Sequence, residues 1–123
     1  MSTGNTKGIR RLINAFRFTF AGLKAALIHE EAFRQEVIVA IPVIPLAIWL
    51  GRTETQRAIL IAIYFIIPLT ELLNSAIEAI VDRIGKEPHE LSGRAKDLGS
   101  AAVFLSICIA LAVWIIIAYE RYF

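Results

Sequence analysis

The chain has 123 residues, enough for one small domain, and 57% of them are hydrophobic, against roughly 45–50% in soluble globular proteins. At a mean hydropathy of +0.63 so short a chain would expose large apolar patches in water, and a bilayer is the solvent that fits. The net charge of +2, from 13 basic and 11 acidic side chains, is too slight to point to nucleic acid, and the single cysteine, Cys108, excludes an intrachain disulfide and a thiolate metal cluster.

The first predicted element covers about residues 6–28. Ile9, Leu12, Ile13, Phe16, Phe20, Leu23 and Leu27 fall within one stripe at 100° per residue, with Arg10, Arg11 and Arg17 off it. That pattern describes an amphipathic helix lying in the membrane surface. Its cations serve equally as an anchor to anionic lipid heads or as contacts to a phosphorylated ligand. The basic start is not followed by an uninterrupted apolar core and a small-residue cleavage site, so no signal peptide is expected.

Glu30, Glu31 and Glu36 come next. Paired carboxylates here suit Mg²⁺, which takes one or two protein oxygens and completes its shell with water and phosphate. An ordinary solvated turn has the same composition, and Arg34 could pair with Glu36. No His or Cys cluster argues for zinc.

The first span is read at about 33–50, built on fourteen uncharged residues at 37–50. Pro42 and Pro45 within it are tolerated in membrane helices and hard to place in a soluble one. The connection GRTETQR (51–57) is a short turn. The second span, about 58–82, is apolar except for a stripe. Glu71 lies roughly 15 Å inside one end, where an ionisable group costs at least about a few kcal/mol without a partner. Asn74, Ser75, Glu78 and Asp82 fall within about 60° of it on the helical wheel, while Leu73, Ile77 and Ile80 face away. Polar side chains can merely glue membrane helices together, but stacked like charges need protons, cations or a metal to coexist. Pro68, one turn before Glu71, frees the carbonyl of Tyr64 and can bend the helix.

Segment 82–97 (DRIGKEPHELSGRAKD) is dense in groups able to hold a nucleotide, and its mixed charge also suits a solvated loop. It contains neither a GxxxxGK[ST] phosphate loop nor a protein-kinase set. The third span, about 98–119, includes nineteen uncharged residues at 101–119, about 28 Å as a helix. Ala102, Ser106 and Ala110 form a small-residue stripe suited to an oligomer contact. With the N-terminus inside and the C-terminus outside, Lys7, Arg10, Arg11, Arg17, Lys24, Arg34, Arg83, Lys86, Arg94 and Lys96 are cytoplasmic, against Arg52, Arg57 and Arg121 outside. The positive-inside rule selects this orientation.

The blocks EEAFRQE (30–36), ELLNSAIEAIVDRIG (71–85) and HELSGRAKDLGSAAV (89–103) resemble the bacterial integral-membrane diacylglycerol kinase family over nearly the whole chain. The likeness is closer to its diacylglycerol branch than to its undecaprenol kinase branch. It implies an all-α membrane protein of one domain, 1–123, with a surface helix and three spans, assembled as a homotrimer in the bacterial inner membrane. Its active sites would be built from neighbouring subunits at the cytoplasmic face. The implied reaction transfers the γ-phosphoryl group of MgATP to the hydroxyl of diacylglycerol, giving phosphatidic acid.

By the same resemblance Glu71 matches the general base, and Glu30 and Glu78 the metal ligands. Arg11, Phe18, Glu87, His89, Lys96 and Asp97 match ATP-contacting positions. Arg34, Glu36, Trp49, Asn74, Ser100 and Trp114 correspond to positions that line or support the lipid site. Asn14, Phe18 and Pro88 depart from the lysine, tyrosine and aromatic residue expected there, which bears on adenine recognition. The alternatives are a kinase for undecaprenol or another lipid alcohol, a small proton-coupled transporter, and a non-enzymatic membrane subunit.

Overall fold

The computed structural model describes residues 7–123, and among these all the regular structure is helical, with no strand. Four helices follow in chain order: α1 (Gly8–His29), α2 (Glu31–Leu50), α3 (Glu54–Ile84) and α4 (Glu90–Tyr122). The expected start of the first helix at residue 6 lies outside the described residues. Three of the four, α2, α3 and α4, are long and apolar enough to cross a membrane. The helices run past the segments read as spans, because charged residues at the ends continue the same backbone ladder. Segment 82–97 is accordingly mostly helical, and only residues 85–89 separate α3 from α4.

Local chemistry explains the boundaries. Thr53 caps α3, its hydroxyl accepting from the Gln56 N–H at 3.1 Å, and His89 caps α4, its Nδ1 accepting from the Leu91 N–H at 3.0 Å. Each satisfies a donor that the first turn leaves free. The α2–α3 turn is tight at Gly51, where a Cβ would fall 2.9 Å from the backbone nitrogen of Arg57. Pro42 and Pro45 lie inside α2 and Pro68 inside α3, and both helices run on through them.

The most extensive packing is between α3 and α4, followed by α2 on α3, with α1 joined to α2. At the 51–57 end, Ala47, Leu50, Leu60 and Ile117 form a buried apolar cluster. Arg121 closes that end, stacking over the Trp49 ring at 4.8 Å and donating to the Leu50 carbonyl at 3.3 Å. Arg52 in turn donates to the Arg121 carbonyl. Ser106 and Ala110 are buried within the protomer, so two members of the small-residue stripe serve intrachain packing, while Ala102 is exposed. Outside these contacts the long helices present apolar side chains outward, among them Ile41, Phe104, Leu111 and Ile115, as lipid-facing helices do.

Candidate active site

The opposite half of the bundle carries the polar groups. Along α3, Glu71 (9% exposed) and Asn74 (8%) are buried, Ser75 and Glu78 are half-buried, and Asp82 is exposed. Leu73 and Ile80 point outward, each 61% exposed, so the 3.6-residue periodicity turns one polar face inward. Asn74 Nδ2 donates to Glu78 Oε1 at 3.2 Å, an i,i+4 pair on adjacent turns. Glu30 and Glu78 lie close enough to act electrostatically on Glu71, and Glu71 does so on Glu36. The α1–α2 junction, α2 and α3 thus each contribute to a set of carboxylates around Glu71.

Glu30 is the break between α1 and α2, its φ of −113° and ψ of 104° lying outside the helical region. Two contacts fix that break. The Glu30 N–H donates to the Ala26 carbonyl at 2.9 Å, and Arg34 Nη1 donates to the carbonyls of Leu27 and Ile28, each at 2.9 Å. A cation at the C-terminal carbonyls of α1 is favoured by the helix dipole. Arg34 therefore engages α1 rather than Glu36, with which it forms no ion pair among the described residues. Glu36 is tied in through its backbone, where its carbonyl accepts from the Tyr64 hydroxyl.

Two clefts flank the cluster. One, of about 630 Å³ between α1 and α3, is mainly apolar, lined by Phe18, Gly22, Leu23, Ala26, Leu72 and Ala76, with Glu30, His29 and Ser75 as polar members. The other, of about 490 Å³, lies at the α3–α4 turn. Asp82, Lys86, Glu87, His89, Ser92 and Lys96 line it, and Lys96 Nζ bonds Asp82 Oδ1 at 2.8 Å.

The residues singled out from the sequence thus separate into groups. Glu30, Glu36, Glu71, Asn74 and Glu78 come together. Glu87, His89 and Lys96 share the α3–α4 cleft. Phe18 lines the α1–α3 cleft instead, while Arg11 on α1 and Asp97 and Ser100 on α4 are exposed. Trp49 and Trp114 lie elsewhere. Trp49 is stacked under Arg121, and Trp114 Nε1 donates to the Leu60 carbonyl at 3.2 Å, eleven residues or about 16 Å along α3 from Glu71. Sequence reasoning missed the Tyr64–Glu36 contact, the capping role of His89 and the close approach of Gly99 to Asn74. Only the second had a usable signal, a polar residue immediately before a helical run.

The model of the prokaryotic diacylglycerol kinase family matches residues 17–118. The chain belongs to that family. It is 47% identical over 118 residues to a protein named diacylglycerol kinase from Escherichia coli K12, covering 96% of this chain and 97% of that one. The corresponding protein of Haemophilus influenzae is 49% identical over 109 residues, covering 89% and 92%, and that of Pseudomonas aeruginosa 44% over 107, covering 87% of each. With three helices able to span a bilayer, this family member is a bacterial membrane protein.

The carboxylate cluster also bears on the metal. Among the described residues no group of three or more His, Cys, Asp or Glu side chains is arranged to hold an ion. Two carboxylates with phosphate and water completing the shell suffice for Mg²⁺, so the residues fit an ion that arrives with the nucleotide.

Proposed function

We propose that this chain transfers the γ-phosphoryl group of ATP to the free hydroxyl of diacylglycerol in the bacterial inner membrane, yielding phosphatidic acid and ADP. Diacylglycerol phosphorylation follows from the family and from relatives named for it. The observation that carries the chemistry is a buried Glu71 on the same face of a membrane-spanning helix as Asn74 and Glu78.

Phosphoryl transfer asks for in-line positioning and neutralised phosphate charge more than for covalent chemistry. Glu71, at lipid depth, accepts the proton of the glycerol hydroxyl as the oxygen attacks phosphorus. Glu30 and Glu78 hold the Mg²⁺ of the nucleotide, which when bound neutralises charge on the phosphate oxygens. Lys96, which lines the α3–α4 cleft, serves the phosphates by exchanging its bond to Asp82 for one to phosphate oxygen. Glu87, His89 and Asp97 border the nucleotide on the same side, with Arg11 on α1, while Phe18 lines the α1–α3 cleft.

The lipid arrives laterally. The α1–α3 cleft beside Glu30 offers it an apolar wall, and Glu36, Asn74, Arg34 and Ser100 frame the polar end. Ile9, Leu12, Phe16 and Phe20 are exposed, which suits an α1 lying in the membrane surface with this stripe toward lipid. The orientation is N-terminus cytoplasmic and C-terminus periplasmic, with the single domain assembled as a homotrimer through the outward apolar faces of the spans.

The test is direct. Purified protein in mixed micelles with labelled ATP should label diacylglycerol and leave undecaprenol essentially unlabelled. Preferential labelling of undecaprenol would move the protein to the other branch of the fold. No transfer to any lipid alcohol would remove the reading.

A further inference from the structure

Asn74 is held from two sides. Its Nδ2 donates to Glu78 Oε1 at 3.2 Å, and its Oδ1 is buried without a hydrogen-bond partner among the described residues. Across from it on α4 stands Gly99, also buried. A Cβ built on Gly99 would lie 2.2 Å from Asn74 Oδ1, 3.3 Å from its Cγ and 3.8 Å from its Cα. The hydrogen that occupies this direction in glycine therefore faces Oδ1, a weak C–H···O contact, and the α4 backbone forms a wall against which the amide rests.

Asn74 is 8% exposed, and a methyl group at position 99 would overlap its Oδ1, so the amide has to turn. A turn that clears the methyl group moves Nδ2, carried on the same Cγ, relative to Glu78 Oε1. Exchanging the amide oxygen and nitrogen gives no relief, because the crowded atom keeps its place and Glu78 would then face an oxygen.

We propose that Gly99 is a positioning residue for the phosphoryl-transfer reaction, acting through the Asn74 amide to aim the Glu78 carboxylate at the cation of the nucleotide. This rests on the reading of Glu78 as a metal ligand. Groups that orient a ligating carboxylate commonly change metal affinity by about 10–100-fold when removed, and Gly99 does this with no polar atom of its own beyond the backbone.

The experiment uses full-length protein in detergent with a non-hydrolysable ATP analogue and Mn²⁺ as a paramagnetic probe, alongside Mg²⁺ titrations of turnover. Gly99→Ala should weaken Mn²⁺ binding by about tenfold and raise the half-saturating Mg²⁺ by a similar factor. Asn74→Ala removes both the bond to Glu78 and the crowded atom. The double variant Gly99→Ala/Asn74→Ala should therefore match Asn74→Ala alone, and it folds even where Gly99→Ala does not, since the clash is gone. Mn²⁺ affinity of the wild type in Gly99→Ala, or losses that add in the double variant, would overturn the proposal, because additivity means independent routes. Unchanged Mn²⁺ binding in Glu78→Gln would instead refute the metal reading, leaving a distinct signature.

Discussion

The clamp formed by Arg34 gives a quantitative test of how α1 is held. Arg34 Nη1 donates to the carbonyls of Leu27 and Ile28, both at 2.9 Å, and Arg34→Gln removes both bonds and the charge at the α1 C-terminus. Arg34 is partly exposed, so each bond contributes nearer the lower end of its range, and the sum with the dipole term is about 1–2 kcal/mol. That is a factor of about 5–30 in the opening equilibrium of the α1–α2 junction. Hydrogen–deuterium exchange should show it in the last turn of α1 and at the Glu30 amide, which bonds the Ala26 carbonyl at 2.9 Å. Arg34→Lys should fall between, since it keeps the charge at the α1 C-terminus while its shorter side chain reaches the two carbonyls less well. Unchanged protection at Glu30 and in the last turn of α1 would refute the clamp.

Glu71→Gln should lower turnover by about 10²-fold or more while leaving binding of an ATP analogue within twofold, and retention of most activity would remove Glu71 as the base. Trp114→Phe loses the bond to the Leu60 carbonyl, at 3.2 Å; it should cost about 0.5–1.5 kcal/mol of stability, read as a lower melting midpoint in detergent, with an unchanged KM for diacylglycerol. A raised KM would restore Trp114 to the lipid site. Ala102→Phe, at an exposed position, should weaken trimer assembly without unfolding the protomer, whereas Ser106→Phe, at a site 4% exposed, should disrupt the protomer itself. Wild-type oligomer mass for Ala102→Phe in detergent would separate α4 from the assembly contact.

The architecture was legible because its signals are physical extremes. Nineteen uncharged residues at 101–119 have few solutions other than a span, and a carboxylate such as Glu71 inside an apolar run stands out against its surroundings. The 3.6-residue period then placed Asn74 and Glu78 with it, and the structure has those side chains on one inward face. Segment 82–97 was less legible. Charge density separates membrane from water but not helix from loop, and here it stays helical except for residues 85–89. Trp49 and Trp114 show a different limit. An indole in a membrane helix packs, hydrogen bonds or meets ligand with the same composition, and only the three-dimensional partners, Arg121 and the Leu60 carbonyl, separate these cases. Gly99 lay beyond reach altogether, since a glycine within a helix carries no mark of the side chain that faces it from another helix.

Placing Glu30, Glu36, Glu71 and Glu78 near one another opposes folding, because like charges in a poorly solvated site repel. The cations nearby are committed largely elsewhere: Lys96, which also acts electrostatically on Glu78, is bonded to Asp82, and Arg34 donates to the carbonyls of α1. A chain selected for stability alone would hold apolar side chains at these positions, as it does around Leu60. The repulsion therefore makes sense as a bias toward a ligand that brings positive charge. A phosphate alone would add to it. In the reaction proposed above, the divalent ion that accompanies the nucleotide would relieve it, and on that reading the cluster would favour the metal-bound nucleotide over the free one.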